Sequence, residues 1–140
     1  MNKRDIDVIV NKLIKKAGSN DLKDIISYLD IKIKKYDGKS FYLKNKNNKY
    51  IYLDINTPEE KQDFALAHEL GHSILHNCEI GQSFIYRVKS QQIENEANYF
   101  AFKILGKKID PTYNFTVNQY AKLLNVNEDT IKYIATPERI

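Results

Sequence analysis

A chain of 140 residues, 42% hydrophobic and 29% charged, has the length and balance of one globular domain that can bury a core of its own. No apolar run approaches the roughly 20 residues of a membrane-spanning helix, and MNKRDIDVIVNKLIKK lacks the continuous apolar segment of a secretory signal. One cysteine permits no internal disulfide, and the net charge of +4 is spread unevenly, with 13 Lys/Arg against 6 Asp/Glu in residues 1–50 and 9 against 12 in residues 51–140.

The expectation is a cytoplasmic protein with no membrane contact. Its basic residues are scattered rather than gathered in one block, which reads as a solvated lysine surface. From Asp5 to Ala17, Ile6, Ile9, Val10, Leu13 and Ile14 keep helical spacing, and Gly18 ends the run. SNDLKDIISYL offers Ser19 or Asn20 as N-cap of a second short helix. IKIKKYD alternates like a strand and DG at 37–38 makes a turn. SFYLK and KYIYLDI flank the polar turn NKNN, which predicts a β-hairpin over residues 39–55. NTPEE then sets Thr57 as N-cap, Pro58 at the first helical position and Glu60 three after the cap, opening a helix to about His76.

A loop through Gly81 and a short strand at SFIYRV follow. SQQIENEANYFAFKIL is a further helix, stopped by Gly106 and Pro111, and TVNQYAKLL and NEDTIKYIA form a closing helical pair. The fold class is α+β. Residues 1–140 form one domain: helices in 1–30, strands in 31–55, two site-bearing helices in 57–106 and a helical pair in 112–136.

All three histidines and the cysteine fall within FALAHELGHSILHNC, residues 64–78. His68-Glu69-Leu70-Gly71-His72 fits H-E-x-x-H, which at this chain's own His and Glu frequencies arises by chance in roughly 0.4% of cases. On a helix, residues four apart lie about 40° apart around the axis and about 6 Å along it, so two imidazoles can converge on one tetrahedral ion. Glu69 is then the general base toward water at the metal. A third ligand must come from elsewhere, because Leu75 and Cys78 stand where a metzincin has Gly and His. IENEANYFA supplies Glu94 and Glu96. Glu94 is favoured, since Asn98 lies one turn on and can hydrogen-bond a ligand histidine. Glu96, followed by Phe100, is the fallback.

FALAHELGHSILH followed by ENEANYFAFKIL resembles the ImmA/IrrE family of zinc metallopeptidases, the M78 peptidases, over roughly residues 20–135. The resemblance implies a zincin-like, minimal gluzincin fold, with a small sheet packed against the HExxH helix. It implies one zinc ion per chain held by His68, His72 and Glu94, with Glu69 catalytic. It also implies an endopeptidase that cleaves a specific protein, a helix-turn-helix transcriptional repressor, as an anti-repressor in a mobile element, phage or stress operon. KILGKKIDP stands where the family often has Leu-Leu-Met-Pro, past the ligands. A His₂Glu site also suits manganese or iron.

Other features read as structural. His76 lies about two helical turns from His68, too far for all three histidines to share one ion, and takes a supporting role. Cys78 could coordinate or be inert; a free cysteine near a helix end is more often a small apolar residue, and it is left out of the expected site. Tyr86 and Tyr99 lie near the motifs, but nothing assigns either to the oxyanion. Residues 115–134 look like a helix-turn-helix, yet the second helix brings Glu128 and Asp129 with only Lys132, so direct nucleic-acid binding is not expected. KYIYLDI is a candidate edge on which an extended substrate adds as a strand. Two alternatives to proteolysis are a zincin-fold module that sequesters a regulator without cutting it, and a DNA-binding regulator.

Overall fold

The computed structural model describes residues 1–76, 91–110 and 112–136. Among these, six helices and three strands run in the order α1 (Lys3–Ala17), α2 (Leu22–Tyr28), β1 (Ile31–Tyr36), β2 (Phe41–Asn45), β3 (Asn48–Asp54), α3 (Glu59–Leu75), α4 (Gln91–Ile104), α5 (Val117–Leu124) and α6 (Glu128–Ala135). This is a mixed α+β arrangement. Gly81, the strand expected at SFIYRV, Cys78, Tyr86 and Pro111 lie outside the described residues. No described helix is long and apolar enough to cross a membrane.

Local chemistry sets most helix ends, with two departures from expectation. Gly18 closes α1 at φ 71°, a left-handed conformation, and its N–H donates to the carbonyls of Ile14 and Lys15. Asp21 caps α2 in place of Ser19 or Asn20, its carboxylate accepting from the N–H groups of Lys23 and Asp24. The Asp21 charge also suits the positive end of the helix, and the Ser19 hydroxyl instead accepts from the Asp21 N–H and donates to Asp24. At α3 the expected capping box does not form. Pro58 is itself the capping position, with ψ 144°, so Thr57 stands one residue too early and no side chain caps the helix.

The strand order is β1-β3-β2. β3 pairs in parallel with β1 and antiparallel with β2, where Asn45 faces Asn48 across a turn at Lys46 and Asn47. KYIYLDI is therefore a central strand, bonded on both sides, and cannot accept a substrate strand. Its apolar positions explain this: Ile51 and Leu53 are fully buried beneath the helices. β1 and β2 are instead the outer strands of the three, and β1 carries Lys32, Lys34 and Lys35 exposed. Lysines on such a strand discourage unwanted pairing and account for part of the basic front half.

α3 and α4 form the main helix–helix contact of the core. Leu66, Ala67 and Leu70 of α3 meet Phe100, Ala101 and Ile104 of α4, with Ile6 and Val10 of α1 closing over them. The helices approach closely at Gly71, where an added Cβ would stand 3.1 Å from Phe100 Cδ1 and 3.2 Å from the Ala97 carbonyl oxygen. The glycine inside HELGH thus lets α4 come near enough to share a site with α3. Gly71→Val is expected to lower stability by about 1–3 kcal/mol through overpacking. Chemical denaturation would check this, and an unchanged midpoint would refute the close-approach role.

The α5–α6 pair covers α4 through buried Ile131 and Thr130 of α6. The Lys3 ammonium donates to the carbonyls of Ile134 and Thr136 at the end of α6. The expected closing helical pair is thus present as α5 and α6, packed on α4 through α6.

Candidate metal centre

The four-residue spacing of His68, His72 and His76 sets three imidazoles along one stripe of α3. On α4 the line of Ala97 and Phe100 meets Gly71. At about 100° per residue, Glu94 and Asn98 flank that line on one side and Gln92 and Glu96 on the other. The two flanks reach different histidines.

Glu94 lies 3.1 Å from Nε2 of His68 and, through its other oxygen, 3.1 Å from Nε2 of His72. The two Nε2 atoms are 3.1 Å apart. Donors bound to a tetrahedral ion at about 2.0–2.1 Å would stand roughly 3.3 Å from one another. His68, His72 and Glu94 therefore have the size and chemistry to hold a metal ion. Asn98 Oδ1 is 2.7 Å from His68 Nδ1. An amide oxygen only accepts, so Nδ1 carries the proton and the lone pair of Nε2 faces the centre.

Glu96 goes elsewhere. It is buried at 5% exposure and its Oε1 accepts from His76 Nε2 at 2.9 Å. The structure thus brings Glu94 to the histidine pair and directs Glu96 to His76. Glu69 is buried at 4% exposure, its Oε2 4.0 Å from His68 Nε2, beside the triad without being part of it.

The charges reinforce one another. Burial pushes Glu94 toward its neutral form, but hydrogen bonds and charge from His68 and His72 outweigh this and hold its carboxyl far below the usual range. For His68, burial pulls the pKa down. The Glu94 hydrogen bond, the charges of Glu69 and Glu94, and Asn98 together raise it above the ordinary value. An anionic cage that attracts a proton to these nitrogens also attracts a divalent cation, and the two compete for the same lone pairs.

Among the described residues, a cleft leads to the site. His72 is fully buried, while Glu94 and His68 keep some exposure and line a cleft of about 340 Å³. Thr57, Lys61, Phe64 and Ala65 form one wall, and Asn125, Val126 and Asn127, at the turn between α5 and α6, form the other. These wall residues were not singled out from the sequence. Lys61, Phe64 and Ala65 precede His68 by seven, four and three, so the helical period carried that signal. The contribution of residues 125–127 had no local signal. Tyr99 is not at the centre, since its hydroxyl donates to Asp7 of α1 at 2.8 Å.

Two histidines one turn apart on one helix, a glutamate from a second helix and a buried glutamate beside them define a metalloprotein site of the HExxH kind, on an α+β scaffold. The chain belongs to the peptidase M78 family, whose model, described as an IrrE N-terminal-like domain, matches residues 23–129. It is also similar to a protein of Bacillus phage phi105 named uncharacterized immunity region protein 2. The two are 30% identical over 108 residues, 71% of this chain and 67% of that protein. No solved structure matches.

Proposed function

We propose that this chain is a zinc-dependent endopeptidase that cleaves a specific protein, a helix-turn-helix repressor, and so acts as an anti-repressor in the cytoplasm. The observation that carries the proposal is the His68–His72–Glu94 triangle with Glu69 buried at its edge and a cleft open on the other side. Membership of a peptidase family supports the reaction, and the likeness to a phage immunity-region protein supports the setting.

A divalent metal, when bound, supplies Lewis acidity that polarises the scissile carbonyl and acidifies water. His68 and His72 offer neutral Nε2 lone pairs, and Glu94 balances part of the cation's charge. Asn98 keeps His68 in the required tautomer. Glu69 removes a proton from the attacking water as its oxygen bonds to the carbonyl carbon, and returns the proton to the amide nitrogen as the carbon–nitrogen bond breaks. Phe64 and Val126 offer apolar contact to the peptide, and Lys61, Asn125 and Asn127 offer polar contact.

A cleft of about 340 Å³ accepts a few extended residues and not a folded surface. Such a cleft suits a scissile bond in an extended segment of the target. In this reading the chain does not itself bind DNA, and the acidic first turn of α6, Glu128 and Asp129, supports that.

Incubating the zinc-loaded protein with the repressor encoded beside it tests the proposal. Discrete repressor fragments are expected. A repressor that stays intact but loses DNA binding would replace proteolysis with sequestration, and an intact, fully active repressor would overturn both.

A further inference from the structure

We infer that His76, anchored by Glu96, is a positioning residue for the metal site, presenting the Nε2 lone pair of His72 to the ion. The inference rests on the proposal that His68, His72 and Glu94 hold zinc, and it concerns two residues outside that ligand set.

The direction of the chain follows from which groups can donate. Glu96 sits among donors: the Gln92 side-chain amide reaches its Oε2 at 2.7 Å, and the Met1 nitrogen lies 3.1 Å from the same oxygen. A carboxylate so placed only accepts, so His76 Nε2 carries the proton that bridges the 2.9 Å to Glu96 Oε1. In a neutral imidazole the other nitrogen is then an acceptor. His76 Nδ1 lies 2.9 Å from His72 Nδ1, so His72 Nδ1 must donate across that gap. With its proton on Nδ1, His72 has its lone pair on Nε2, the atom 3.1 Å from Glu94.

His72 is fully buried, so a protein group must satisfy its Nδ1. His76 can do so because it follows His72 by one turn as the C-cap of α3, its own N–H donating to the His72 carbonyl. Each ligand histidine is thus held from behind by a different device. His68 leans on an amide from one flank of α4. His72 leans on a second imidazole, itself oriented by a carboxylate from the opposite flank. Such outer partners commonly contribute 10–100-fold to metal affinity.

The test compares zinc affinity, by competition with a chromophoric chelator, in the wild type, His76→Phe and His76→Gln. Phe keeps an aromatic ring and removes the acceptor, whereas Gln restores an acceptor oxygen. A 10–100-fold loss with Phe, largely recovered with Gln, is expected, together with an altered visible spectrum of the cobalt-substituted Phe variant. A role in packing alone would not move that spectrum or be rescued by Gln. Nitrogen-15 NMR of the zinc-loaded wild type needs no variant and decides the matter if Phe does not fold. Protons on His72 Nδ1 and His76 Nε2 support the inference, and a proton on His76 Nδ1 overturns it. A wild type that takes up no zinc overturns the metal site and this role with it. A wild type that binds zinc no more tightly than His76→Phe overturns the role of His76 alone.

Discussion

Glu69→Gln is expected to lower peptide hydrolysis by about 10²–10⁴-fold, the usual contribution of a positioned general base, while the protein keeps about one zinc per chain. Gln matches Glu in shape, so the buried pocket around residue 69 stays filled. What disappears is the capacity to take a proton from water and return it to the leaving nitrogen. Because Glu69 stands 4.0 Å from His68 Nε2 and outside the His68–His72–Glu94 triangle, its loss leaves every donor in place. Metal content and cleavage rate, measured on the same preparation, separate the two effects. Near-normal cleavage by the variant would refute the mechanism.

Glu94→Ala should have the opposite profile, losing the metal and with it all activity. Glu94 touches both histidines, each at 3.1 Å, and its removal leaves two imidazoles with no anionic donor. The affinity loss should exceed the 10–100-fold typical of an outer partner. Glu96→Ala should fall within that outer-partner range and still carry zinc after purification, since of the three histidines its carboxylate bonds the supporting His76. Metal analysis of protein purified without added metal or chelator checks both variants. Equal zinc in Glu94→Ala and wild type would exclude Glu94 as a donor.

Much of the candidate site was legible because it is local. The spacing of His68 and His72 on a segment free of helix breakers places two imidazoles one turn apart whatever the rest of the chain does. The position of Asn98 one turn after Glu94 singled out Glu94 for the same reason. Helix boundaries were legible where one residue settles the backbone, as at Gly18. They were misread where neighbouring candidates compete, as at Asp21 against Ser19 and Asn20, and at Thr57 beside Pro58.

The sequence by itself determined that an HExxH helix and a glutamate-bearing helix exist, and which residues within each share a face. Only the tertiary structure decided what stands opposite each face. The approach of α4 to α3 at Gly71 sends Glu94 to the histidine pair and Glu96 to His76. The register of the sheet puts β3 in the centre, where no substrate strand can join it. The docking of the α5–α6 turn beside α3 gives the cleft its second wall. The division has a plain physical origin. Periodicity and capping act over one or two helical turns, whereas helix rotation, strand order and cleft walls depend on contacts between residues tens of positions apart, which no local pattern encodes.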